Sequence, residues 1–287
     1  MNSQALNRKD NNECYRVGAV SFFNTLPLIF GLEDHPRIIL QRLVPAQLPK
    51  ALNSGSVDIG LVPSIDYQKS DHPWVVLPIA AIGSVGEVLT VRIFSQRAPE
   101  QITRLACDTD SHTSVILARI IWKLRFKKDL DITPLSASGE FSDNSAILLI
   151  GDKVLDHLDD WPYEFDLGRA WTDLTNLPFV YAFWAVPHDK QIDNLADILQ
   201  QAGLRGFGHI EQIAQQHGSR HGFTVERGRQ YLTHNISYDF HELQQQGLSR
   251  FYQWAHQLGL VERNRPLRFY SPACCKLEQI GQNRSRA

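Results

Sequence analysis

The feature that most constrains this chain is an alternation near its start. Short runs of small and β-branched residues are separated by segments that carry helix signals. Val17–Ser21 is the first such run, Ile38–Leu43 the second and Val57–Val62 the third. A helix is predicted from Leu26 to Leu32. Before the third run, Pro45 suits a first helical turn and Gly55 suits a helix end. A β-α-β-α-β order predicts a mostly parallel sheet with helices on its faces.

The alternation then repeats. Val75–Ser95 is apolar and β-branched, with Gly83 and Gly86 in its middle, and reads as two extended segments joined by a glycine-permitted bend. After Pro99, "ITRLACDTD" reads as a strand and "SHTSVILARIIWKL" as a helix. Ile132–Leu135, Ala146–Ile150 and Phe179–Val186 are predicted strands, with a helix over Asp166–Asn176. Beyond Pro187, Leu195, Ile198, Leu199 and Ala202 recur at helical spacing, as do Leu248, Phe251, Ala255 and Leu258. Two α/β segments and a helical third predict an α/β chain of two lobes with a ligand cleft between them, near strand C-terminal ends and helix starts. One lobe is expected to combine residues 15–93 with 187–270, the other to span 94–186. Strands at Val91–Ser95 and Phe183–Pro187 would cross between them. Residues 1–14 and 271–287 read as disordered tails.

Composition narrows the partners. The formal net charge is −2 and basic residues are spread along the chain, with a pI of about 6.6, so a phosphate-backbone partner is not expected. The first sixteen residues are polar and no run of about twenty apolar residues occurs, so the expectation is a cytoplasmic protein without membrane insertion. The four cysteines form no CxxC, and the eleven histidines form no HExxH, so neither a disulfide framework nor a metal centre is expected.

Four stretches carry candidate chemistry. In "CDTDSHTS" a strand hands over to a helix among Asp108, Thr109, Asp110, Ser111, Thr113 and Ser114. Free backbone N–H groups and the helix dipole attract an anion there, and the hydroxyls add neutral donors. The alternative is simple capping by Asp110 or Ser111. His112, inside this motif, reads as a solvent-facing residue. In "GSVGEVLTV", Gly86 would let backbone approach a ligand and Thr90 would donate to it; a plain bend is the alternative. In "LLIGDKVL", Asp152 is either a ligand contact or an N-cap. In "VGAVSFFNTLPLIFGL", Ser21 and Asn24 sit at the end of the first strand. The Asn24 amide both donates and accepts, so it can hold a carboxylate or a hydroxyl, while an Asn-assisted turn before Pro27 is the alternative. Phe22 and Phe23 read as core. Together these residues imply a polar, largely uncharged cleft for a small anion.

The ordered series "VGAVSFFNTLPLIFGL", "LNSGSVDIGLVPSIDY", "GEVLTVRIFS", "CDTDSHTS", "LLIGDKVL" and "DLGRAWTDLTNLPFVYAFWA" resembles the chorismate dehydratases of futalosine-dependent menaquinone biosynthesis. The resemblance covers about Arg16 to Trp184, with weaker support to Tyr238. It implies a type II periplasmic-binding-protein-like fold in a cytoplasmic enzyme. The implied reaction removes water from chorismate to give 3-[(1-carboxyvinyl)oxy]benzoate, without cofactor or metal. It also implies Asn24 at the chemistry, with Ser21, Gly86, Thr90, Ser111, Thr113, Ser114 and Asp152 around the substrate. Glu87 stands where such chains commonly have Pro, and Asn176 where they commonly have Gly. Two alternatives are 1,4-dihydroxy-6-naphthoate synthase of the same pathway and a non-catalytic intracellular sensor of small anions. The sequence leaves the oligomeric state and the proton acceptor open.

Overall fold

In the first sheet, β1 (Tyr15–Val20) lies between two parallel neighbours, β2 (Ile38–Leu43) and β3 (Ile59–Pro63), with β1 and β2 in register from Tyr15 opposite Ile38 to Val20 opposite Leu43. The structure is a computed structural model that describes residues 14–108, 111–135, 146–192 and 194–271. A short helix α1 (Leu48–Asn53) joins β2 to β3, and the single turn α2 (Asp66–Lys69) follows β3. β4 (Trp74–Ser84) lies at the far edge. Residues 85–90 then carry the chain into a second sheet.

That sheet contains β5 (Val91–Ser95), β6 (Arg104–Cys107), β7 (Asp131–Pro134), β8 (Ala146–Ile150) and β9 (Tyr163–Asp166), in the order β7-β6-β8-β5-β9. The helix α3 (His112–Ile121) follows β6, and α4 (Leu167–Thr175) follows β9. The chain returns through residues 176–178 to β10 (Phe179–Pro187), which runs antiparallel between β3 and β4 and completes the first sheet as β2-β1-β3-β10-β4. Four more helices, α5 (Leu195–Gly208), α6 (Ile210–His217), α7 (Val225–Gln230) and α8 (Glu242–Gln257), pack mainly on this first lobe.

The fold is thus α/β and two-lobed, as expected. The crossing points differ from the expectation. β5 pairs only within the second sheet and β10 only within the first, so the boundaries expected near 94 and 186 fall instead at 85–90 and 176–178. Asn176, the C-cap of α4, sits in the left-handed region at φ 57°, a conformation Asn adopts more readily than most residues. The helix expected over Leu26–Leu32 is a 3-10 helix over Phe23–Ile29. Pro27 has no N–H for an α-type bond, and the Thr25 N–H already bonds the Phe22 carbonyl three residues back. The expected tails fall almost wholly outside the described residues, as do Thr109, Asp110 and Cys274–Cys275.

Packing fixes this 3-10 turn. Gly206 of α5 lies so close to the Pro27 carbonyl that a Cβ would sit 2.0 Å from its oxygen. Phe23 is fully buried and stacks on Phe223 with ring centroids 4.8 Å apart, and Phe223 stacks on Tyr231 at 4.9 Å. Burying one such ring stabilises by roughly 1.5–3 kcal/mol. The stack brings Tyr231 beside the residue that follows Phe23.

Candidate active site

A cleft opens where the two sheets face each other. Val20, Leu61, Ile82, Val88, Val91, Ile150 and Ile236 make much of its wall apolar. Asn24, Thr90, Ser111, His112, Thr113, Ser114 and Tyr181 give it polar points.

At the end of β1 the Asn24 side chain is almost fully buried, and its Nδ2 donates to the Tyr231 hydroxyl at 3.0 Å. The Tyr231 hydroxyl lies 2.7 Å from Thr90 Oγ1. The backbone is fixed as well, because the Tyr238 hydroxyl donates to the Asn24 carbonyl at 2.9 Å. Asn24 gives one of its two amide protons to Tyr231 and keeps the other, and either hydroxyl of the Tyr231–Thr90 pair can act as the donor. Burial pushes the Tyr231 phenol up, more than the Thr90 hydrogen bond offsets, so it remains a neutral O–H. Burial likewise keeps the Tyr181 phenol protonated.

Thr90 owes its position to the crossing segment. Asp166 accepts from the Val88 N–H at 3.1 Å and the Leu89 N–H at 2.9 Å, and it also caps α4 by accepting from Arg169 N–H. Burial raises the Asp166 carboxyl, and these N–H bonds and Arg92 offset this only in part. Leu89 is held at φ 69°, a costly conformation for a side chain with a Cβ, directly beside Thr90. Glu87 pairs with Arg92, and its carbonyl accepts from Asn235 Nδ2 at 3.2 Å.

The start of α3 forms the facing wall. The Ser111 side chain makes no cap, which removes the capping alternative for that residue. Its hydroxyl is buried at the cleft wall without a partner among the described residues. Thr113 binds the first lobe: it accepts from the Ile65 N–H at 3.3 Å and donates to the Tyr181 carbonyl at 3.4 Å. Ser114 also lines the cleft. His112 departs from its solvent-facing expectation. It lies in the cleft wall with Nδ1 at 2.9 Å and 3.1 Å from the two oxygens of Asp66 across the lobe boundary.

The third side is the end of β8. Gly151 is at φ +68° and packs so tightly on the Phe22 ring that a Cβ would sit 2.8 Å from it. Phe23 is core as expected, whereas Phe22 is part of the cleft wall. Asp152 is neither in the cleft wall nor an N-cap. It accepts from the Phe23 N–H at 3.3 Å, and its other oxygen lies 2.6 Å from His221 Nδ1. It therefore ties the second lobe to the first.

Asn24, Thr90, Ser111, Thr113 and Ser114 thus meet in one cleft. Ser21 is exposed and outside its wall. Gly86, at φ +84°, spends its N–H on Thr172 Oγ1 at 2.9 Å and is also outside. Sequence reasoning missed Tyr231, Tyr181, Asp66 and the orientation of Phe22. Only Asp66 had a local signal, as the acid after β3 in "PSIDY". Among the described residues no group of three or more His, Cys, Asp or Glu side chains converges as metal ligands would. No helix among them is long and apolar enough to cross a membrane.

A family model described as menaquinone biosynthesis matches residues 15–257. The chorismate dehydratase of Thermus thermophilus is 29% identical over 270 residues, covering 86% of this chain and 96% of that protein. The chorismate dehydratase of Campylobacter jejuni is 25% identical over 252 residues, covering 85% and 99%. Among solved structures, the periplasmic aliphatic sulphonate binding protein SsuA from Escherichia coli superposes with a TM-score of 0.59 at 18% identity, covering 89% of this chain and 96% of that one. An Archaeoglobus fulgidus protein superposes with a TM-score of 0.65 at 15% identity, covering 86% and 98%. At such identities these structures establish the periplasmic-binding-protein-like fold alone.

Proposed function

The chain belongs to the menaquinone biosynthesis family, and from that premise we propose that it is a chorismate dehydratase. It removes water from chorismate and releases 3-[(1-carboxyvinyl)oxy]benzoate, which makes it a hydro-lyase. The observation that carries this reading is the buried Asn24 amide at the end of β1, joined to Tyr231 and Thr90 inside a largely apolar cleft.

Chorismate carries two carboxylates, a ring hydroxyl and a neighbouring ring C–H. Loss of water across that C–C bond makes the ring aromatic, so the reaction is strongly downhill. The protein has to orient the substrate, assist the leaving hydroxyl and let a base take the proton. Asn24 and Thr90 present neutral donors for the hydroxyl. The free Ser111 hydroxyl and the start of α3 receive a carboxylate. An amide is a poor base, so the proton goes to a bound water or to a carboxylate of the substrate itself. The apolar wall holds the ring and excludes bulk water, which strengthens each of these polar contacts. In this reading the chain works in the cytoplasm, on the futalosine-dependent route to menaquinone; the motif series supports that placement.

Mixing purified protein with chorismate and following aromatic product by liquid chromatography tests the proposal. Time-dependent appearance of 3-[(1-carboxyvinyl)oxy]benzoate is expected. Tight binding of chorismate without product would overturn it in favour of a sensor.

A further inference from the structure

A dianionic substrate poses a problem for this cleft. Moving two carboxylates from water to an apolar wall is unfavourable unless each finds donors or an opposite charge. Among the described residues of that wall there is no lysine and no arginine, and His112 alone can carry a full positive charge.

We propose that His112 is the anchor for one carboxylate of the substrate, with Asp66 holding the imidazole in place. This rests on the dehydratase reading and names the residue that selects an acidic substrate. Nδ1 faces the Asp66 carboxylate at 2.9 Å, and that carboxylate is 7% exposed. Nδ1 is therefore committed, and Nε2 is the ring nitrogen with no protein partner among the described residues. The ring itself is a third exposed, on the cleft side of the first turn of α3. A carboxylate at Nε2 would meet a ring whose other nitrogen is already held by Asp66. The unpartnered Ser111 hydroxyl next to it supplies a second donor to the same carboxylate.

The pair does not serve merely to hold α3 against the first lobe. Thr113 already does that, through the Ile65 N–H and the Tyr181 carbonyl. Variants at His112 should therefore fold. His112 departs from the solvent-facing role that its sequence context suggested, and Asp66 comes from 46 residues away.

Steady-state kinetics on chorismate with wild type, His112→Gln, His112→Arg and Asp66→Asn tests the anchor, with melting temperature as the folding control. A hydrogen bond to a charged group corresponds to about a 10- to 100-fold change in binding. KM should rise by about that factor in His112→Gln while kcat stays within a few-fold. His112→Arg should restore KM to near the wild-type value, and Asp66→Asn should raise it by a smaller factor. An unchanged KM in His112→Gln would overturn the anchor. A large fall in kcat at constant KM would also overturn it and make His112 the base. Equal defects in His112→Gln and His112→Arg would reduce the residue to shape. If the wild-type chain binds chorismate without turning it over, the dehydratase reading fails. The anchor is then read from Kd in the same variants by calorimetry, where an unchanged Kd in His112→Gln overturns it.

Discussion

Among the described residues two histidine–aspartate pairs bridge the lobes, and they are built in opposite directions. At the start of α3 the histidine belongs to the second lobe and the carboxylate, Asp66, to the first. Beyond β8 the carboxylate, Asp152, belongs to the second lobe and the histidine, His221, to the first. The chemistry of the two pairs is alike, but their settings differ. His112 lines the cleft with a free ring nitrogen among the described residues, whereas Asp152 and His221 both lie outside its wall. Asp152 also spends its second oxygen on the Phe23 N–H, and the His221 ring packs on Phe23 at 5.4 Å between centroids. One pair keeps a free atom for a ligand. The other is consumed by the protein and acts as a clasp. Residue type does not separate the two pairs; what separates them is unspent hydrogen-bonding capacity facing the cleft.

The sharpest test of that distinction sets Asn24→Ala against Asp152→Asn. Loss of a donor aimed at charge that develops in the reaction typically costs 100-fold or more, on the order of 3 kcal/mol. Asn24→Ala should therefore lower kcat by about that factor, with only a small change in melting temperature. Asp152→Asn should leave kcat nearly unchanged and raise KM by about 3- to 10-fold, because the clasp holds the lobes and touches no substrate. Small-angle scattering of the ligand-free Asp152→Asn chain should give a larger radius of gyration than the wild type. Equal losses of kcat in the two variants would break the comparison.

A smaller effect is expected where the clasp meets the cleft wall. Gly151→Ala forces a Cβ to within 2.8 Å of the Phe22 ring at a backbone φ of +68°. The strained conformation costs about 1 kcal/mol and the displaced ring adds to it, which for a chain of this size lowers the melting temperature by about 3–6 °C. Phe22→Ala in the same background should recover the steric part but not the backbone part. A double-mutant cycle by thermal denaturation measures the split. Strict additivity would mean that Phe22 and Gly151 do not press on each other, and that the wall at this point is looser than the packing indicates.

What the sequence revealed about this site follows the range of the forces involved. Asn24, Thr90, Ser111, Thr113 and Ser114 were legible because strand ends and helix starts have local signatures, and cleft residues gather there in α/β folds. Tyr231 was not, since it meets Asn24 across 207 residues and its own surroundings read as an ordinary helix. Position alone does not put a residue in the cleft wall. Ser21 lies at the right strand end but faces solvent, and Gly86 lies in the right loop but gives its N–H to Thr172. The fold was read on the same terms. The long apolar strands were placed, whereas β9, four residues that alternate aromatic and acidic side chains from Tyr163 to Asp166, was not. Sheet membership of β5 and β10 depends on long-range pairing, which local pattern does not encode, so the crossing points were set a few residues off.

The smallest expected effect comes from a carboxylate with neither a histidine nor a lobe boundary, which makes it the control for both pairs. Asp58 lies in the first lobe with Arg16 Nη2 and Lys190 Nζ each 2.8 Å from Oδ1, and the Arg16 N–H 2.8 Å from Oδ2. Burial by itself would raise this carboxyl, but the hydrogen bonds from Arg16 and Lys190 outweigh it and hold the group at about 2, against an ordinary 3.8. A folded value below the unfolded one means that the fold favours the charged form. The stabilisation is therefore fully present above about pH 4 and is lost as pH falls from about 4 to 2. Arg16 and Lys190 are each about 40% exposed, so solvent screening leaves a contribution of about 1 kcal/mol. Asp58→Asn should lower the melting temperature at pH 7 by about 2–4 °C, and the gap to wild type should close near pH 2. KM for the substrate should not move. A shift in KM would show that the cleft feels a carboxylate it does not touch, and the line drawn between bridging and internal pairs would have to be redrawn.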